Sequence, residues 1–152
     1  MKLVSILERE TDLVTRFVGI LTQEQEILVR GKPQDLAPLT EAKTPLIDEL
    51  MALASQRDDA LRAEGFPQDV DGLKTWVTLQ GNQQLEATYE TLKRASAEAK
   101  RLNQLNASLV STRLQITQQA LSVLLPAENA PALYDTQGQS AQKVGYKLID
   151  SA

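Results

Sequence analysis

Three charged clusters are the first places in this sequence where chemistry could be done: Glu8-Arg9-Glu10, Arg57-Asp58-Asp59 and Asp69-Val70-Asp71. Neighbouring carboxylates can act as acid and base or hold a hard cation. None of the three has a further ligand at suitable spacing. They fall on a polar helix face, at a helix end and in a connector, where solvation and helix capping account for them. Cysteine and histidine are both absent. That excludes disulfides, zinc sites, Ser-His-Asp triads and Cys-His pairs. Carboxylate, lysine or tyrosine chemistry remains, and no phosphate-binding glycine pattern is present. The sequence therefore reads as a non-enzymatic protein that needs no cofactor.

A second set of residues is polar where the surrounding pattern is apolar. Asn106 and Arg113 fall on the seam of the third helical segment. Polar seam residues lower stability but fix register and orientation, and a partner-binding site is the alternative reading. Lys43 takes a similar place in the second segment, where a lysine can lay its methylenes on the apolar face and carry its charge to water. Trp76, the one tryptophan, reads as core, with a surface anchor for a partner helix as the other possibility. Beyond Pro126, Leu133-Tyr134 precedes a turn at Gly138. An apolar pair before a turn also has the form of a short docking motif.

Helices must position these groups. Leu3, Ile6, Leu7, Leu13, Val14, Phe17, Ile20, Leu21, Ile27 and Leu28 recur at steps of three and four from Lys2 to Arg30. Gly31-Lys32-Pro33 ends that helix, with glycine suited to a left-handed C-terminal position. The second segment opens at Asp35 as N-cap and carries Leu36, Leu39, Lys43, Leu46, Leu50 and Leu53 to a stop at Gly65-Phe66-Pro67. Pro45 predicts a kink there, or else a fresh start capped by Thr44. Asp69 or Asp71 can cap the third segment, which runs from about Leu73 to Leu125, roughly 75 Å of helix. Its seam reads Leu92, Ala95, Ala99, Leu102, Asn106, Leu109, Arg113, Ile116, Ala120, Val123. Gly81 marks the place for a bend or break.

Pro126 stops the third segment. Apolar residues are sparse from there to Ala152 and cannot offset the entropy of ordering alone. The predicted fold is all-α: a long antiparallel three-helix bundle over 1–125 with an extended third helix, and a flexible C-terminal tail over 126–152. The 152 residues suit one domain, and 4% aromatic content suits a helical seam better than a β-sandwich. A net charge of −4 argues against nucleic acid. The N-terminus lacks the apolar core of a signal peptide, and no run reaches the roughly 20 residues of a membrane span. A cytoplasmic protein without membrane insertion is expected.

Taken together, these residues resemble the FlgN-type flagellar export chaperones. The likeness lies in Arg101-Leu102-Asn103-Gln104-Leu105-Asn106, with its asparagines three apart, and in Gln118-Gln119-Ala120-Leu121 followed by Leu124. Leu133-Tyr134 with Gly138-Gln139-Ser140, and Lys43 before Leu46-Ile47 and Leu50, are similar to the family's pattern as well. Pro45 departs from it. The resemblance covers nearly the whole chain. It implies a cytoplasmic chaperone that holds the disordered terminal helix of flagellar hook-associated proteins and delivers them to the type III export apparatus. Asn103, Asn106, Leu109, Val110, Arg113, Ile116, Leu121 and Leu124 are the candidate client-binding residues. Leu133, Tyr134 and Gly138 are the candidates for docking to the cytoplasmic part of the export gate, a membrane protein. A structural coiled coil or self-associating helical adaptor is the competing reading, and monomer and dimer both remain open.

Overall fold

The computed structural model describes residues 2–124. The expected tail, with Leu133, Tyr134 and Gly138, lies outside the described residues. Helix α1 spans Lys2–Arg30, the range its apolar spacing predicts. Gly31 is needed for a different reason than expected, because its φ is not positive. Its N–H continues the helical ladder to the Ile27 carbonyl at 2.8 Å. A Cβ there would lie 2.9 Å from the Ile27 Cα, so the position requires glycine for space.

A short 3-10 turn, Pro33–Asp35, leads into α2, Leu36–Ala63. Asp35 is not a side-chain cap, contrary to the sequence reading. Its own φ of −74° is helical, and the amide of Leu36 bonds back to Pro33, so the turn's carbonyls take the first N–H groups. Helix α2 passes unbroken through Pro45. Thr44 does not cap a fresh start; its hydroxyl donates to the Thr40 carbonyl at 3.1 Å. The end of α2 is a Schellman turn. Gly65, at φ 81°, lets Phe66 N–H reach the Leu61 carbonyl and its own N–H reach Arg62.

The predicted long third helix is two helices. Helix α3, Val70–Gln80, starts at Asp69, whose carboxylate accepts the Gly72 N–H at 2.7 Å. A Cβ on Gly72 would sit 1.9 Å from the Pro67 carbonyl oxygen, so only glycine lets the connector cross α3 so closely. Gly81 then takes a left-handed φ of 59° and ends α3. The Asn82 side chain accepts from the N–H groups of Gln84 and Leu85 and opens α4, Gln83–Leu124. The break falls where glycine and a capping residue adjoin, which removes the N–H to carbonyl continuity a single helix needs.

Helix α1 is the spine of the molecule, which is why this is not a simple three-helix bundle. Arg9 pairs with Glu49 and Glu24 with Lys43, so α1 and α2 are antiparallel. Asn106 bonds Leu21 and Arg113 bonds Gly31, so α1 and α4 are parallel. Among the described residues, α1 packs on both long partners, whereas no Cα of α2 lies within 8 Å of one in α4. Two apolar clusters fill the interior. One gathers Leu3, Leu7, Leu61, Leu73, Trp76 and Tyr89 at the α3 end; the other gathers Leu13, Phe17, Leu21, Leu50, Ala99 and Leu102. Trp76 belongs to the core, fully buried, and its indole N–H donates to Glu64 at 2.6 Å. At about 1.5 Å per residue, α4 is about 63 Å long against about 43 Å for α1, so α4 outruns its partner.

Candidate partner-binding surface

The seam of α1 repeats in steps of four and three: Leu3, Leu7, Glu10, Val14, Phe17, Leu21, Glu24, Leu28. Two carboxylates therefore stand on its apolar line. The α2 seam carries matching cations, Lys43 and Arg57, two heptads apart like Glu10 and Glu24. Because the helices are antiparallel, the two charges of each helix meet those of the other in two layers.

In the first layer, Arg57 Nη1 donates to Glu10 Oε1 at 2.6 Å, and both side chains are almost fully buried. For Glu10 and Arg57 this corrects the expectation of solvated charge, whereas Glu8, Arg9 and Asp59 of the same clusters are exposed as expected. Burial pushes the Glu10 carboxyl above its ordinary value, Arg57 opposing and Asp58 adding to the rise. Glu10 Oε2 and the core hydroxyl of Tyr89 find no hydrogen-bond partner among the described residues. Burial also raises the Tyr89 phenol.

The second layer joins three helices through one carboxylate. Glu24 accepts from Lys43 Nζ at 2.9 Å and from Asn106 Nδ2 at 3.0 Å. Asn106 Nδ2 also donates to the Leu21 carbonyl at 2.9 Å, and Asn106 is 2% exposed. Lys43 is not reaching for water, as the sequence reading had it. Its ammonium is held inside, 5.9 Å from the centre of the Phe17 ring. One heptad further, Arg113 donates to the Gly31 carbonyl at 3.3 Å and so places a cation at the C-terminus of α1.

Past Arg113, α4 has no long partner among the described residues. The candidate client residues divide at this point. Asn103 and Asn106 are buried within the bundle; Leu109, Val110 and Arg113 are half-buried at its end. Ile116 is 61% and Val123 85% exposed, with Leu121 half-buried between them and Leu124 the last described residue. The seam that packs on α1 below thus continues as an open apolar face, Ile116, Ala120 and Val123 beside Leu114 and Leu121. Glu10, Glu24 and Arg57 were missed as seam residues, although their four-three spacing identifies them. No three carboxylates gather as a metal site among the described residues, and no described helix is long and apolar enough to cross a membrane.

The family profile described as FlgN protein matches residues 1–142. The chain belongs to the FlgN family. No curated protein and no solved structure matches it. FlgN membership gives the chain a general role as a flagellar export chaperone and makes flagellar proteins its partners. The FlgN match includes all of α1 to α4 and extends through Leu133, Tyr134 and Gly138.

Proposed function

We propose that this FlgN-family chain is a non-enzymatic cytoplasmic chaperone for hook-associated proteins. It holds their disordered terminal helix on the late part of α4 and delivers them to the type III export gate. The observation that carries the reading is the exposed seam of α4 beyond the end of α1, with Ile116 and Val123 in the open. A client helix with an apolar stripe aggregates when uncovered, and a helical face of matching period covers it. Ordering of the client on binding keeps affinity moderate, as a chaperone that must release its cargo requires. Leu109, Val110, Ile116, Leu121 and Leu124 form the contact face in this reading. Asn103, Asn106 and Arg113 hold the helix that presents it.

Leu133, Tyr134 and Gly138 are assigned to export-gate docking on the family resemblance. Calorimetry of the full chain with a purified hook-associated protein tests the client step; no measurable binding would remove it. Tyr134→Ala is expected to leave that affinity unchanged and to weaken capture by the cytoplasmic domain of the gate protein. Equal capture by both forms would reassign Tyr134.

A further inference from the structure

The last stretch of α4, Leu114–Leu124, contains no Asp, Glu, Lys or Arg. The first half of the helix is charged on almost every turn, through Glu86, Glu90, Lys93, Glu98 and Arg101; no charge lies between Arg101 and Arg113. Several of the early charges pair within the helix, as in Glu90–Lys93 and Glu98–Arg101, whereas Arg113 reaches the Gly31 carbonyl at the end of α1. Arg113 is the last charge of α4, and none follows it on the overhang. Of the polar residues beyond, Thr117 and Ser122 donate their hydroxyls to carbonyls of their own helix. Gln115, Gln118 and Gln119 remain to flank the apolar face, and a primary amide can donate to an anion or accept from a cation.

Building on the chaperone reading, we propose that this overhang selects its partner by apolar spacing and not by charge. The occupant is an amphipathic helix of a flagellar protein, seated in line with α1 beyond Gly31, whose flanking charges of either sign are tolerated. Continuity with the α1–α4 interface places it: the overhang presents the same face at the same three- and four-residue period, so a helix there extends the existing packing. Coiled-coil partners are ordinarily sorted by charges flanking the seam, through attraction and like-charge repulsion. An overhang without charges can do neither. One chaperone can then accept several client helices of different surface charge.

A second copy of the chain is the competing occupant, and sedimentation of the full chain distinguishes it from a client helix.

The test uses the full chain and three labelled synthetic helical peptides of about 15 residues, long enough for marginal helicity. All three have the same leucine seam, with flanks of glutamine, glutamate or lysine. At about 150 mM salt, where screening acts beyond about 8 Å, the three dissociation constants should agree within about threefold. They should also hold steady as salt rises to about 500 mM. The double variant Ile116→Gln/Val123→Gln should weaken all three at least tenfold, about 1.4 kcal/mol. A preference above tenfold for one flank charge overturns the proposal, as does affinity that falls with salt, binding that ignores the double variant, or no binding at all. A dimer in sedimentation that excludes the peptides overturns it too and names a second copy as occupant. Hook-associated protein that binds the full chain in a strongly salt-dependent manner would sink this inference alone and leave the chaperone reading standing.

Discussion

Below Arg113, the apolar seam of α4 is covered by α1 and reinforced by Glu24 and Lys43; above it, the same seam meets nothing among the described residues. Helix type, period and residue classes are shared by the two stretches. What differs is that α1 ends beside Arg113. The lower stretch spends its apolar surface on folding, so its substitutions should be read in stability. The upper stretch keeps that surface exposed, so its substitutions should be read in binding. One helix therefore divides into a part that holds the fold and a part that the fold presents.

The strongest way to break this division is at the buried ion pair. Arg57→Ala leaves Glu10 buried without its cation, which costs about 3–5 kcal/mol in comparable pairs. Urea unfolding measures it, and a loss below about 1 kcal/mol would mean that the lower layer is not closed to water. Replacing both members, Glu10→Leu with Arg57→Met, should be neutral or stabilising by as much as about 4 kcal/mol, because the desolvation penalty leaves with the charges. The contrast between single and double variants separates an expensive burial from a strong bond.

The same carboxyl gives a smaller, pH-dependent signature. Burial raises Glu10, Arg57 notwithstanding, so the fold prefers its neutral form. The stability it contributes is complete below its ordinary value of 4.5 and is lost as pH rises through the raised value. Glu10→Gln stays neutral throughout. Its stability relative to the parent chain should therefore rise with pH across that window, measured by urea unfolding from about pH 4 to pH 8. Parallel curves would show that Arg57 balances burial, and a relative stability that falls with pH would show that it outweighs burial.

Much of the covered stretch was legible in the sequence because helical packing is a matter of period. Leu3 through Leu28 and Leu92 through Asn106 announce their buried faces by spacing alone, and Gly81 announces the break. The charged layers were hidden for a physical reason. Glu10 and Arg57 stand within charged triplets, and a charge is ordinarily solvated, so composition argued against the burial that their spacing implied. Asn106 was visible on the seam, but its role depends on Glu24, eighty-two residues earlier, and such a pairing needs the helices' relative direction. Gly31 and Asp35 misled because local preference suggests a cap, whereas the Gly31 amide continues the α1 ladder to Ile27 and the 3-10 turn already satisfies the first amides of α2. For the binding surface, the apolar residues were readable. The end of α1 and an extended third helix were readable too; that α1 ends opposite Arg113 was not, because it requires knowing which residue of α1 stands beside Asn106.

The smallest expected effect sharpens the comparison most. Ile116→Gln and Val123→Gln lie on the face that is already in water, so each should change the unfolding free energy by no more than about 0.5 kcal/mol. An equally modest change in a covered seam residue, such as Leu102→Ala, removes packed volume and typically costs about 2–5 kcal/mol. Both sets can be measured in the same urea titration. Should Ile116→Gln destabilise by more than about 1 kcal/mol, the overhang is covered in solution, by another part of the chain or by another copy. The stretch beyond Arg113 would then belong to the fold. A near-zero cost leaves the exposed side chains with no contribution to folding, and whatever they contribute must appear when a partner helix is added.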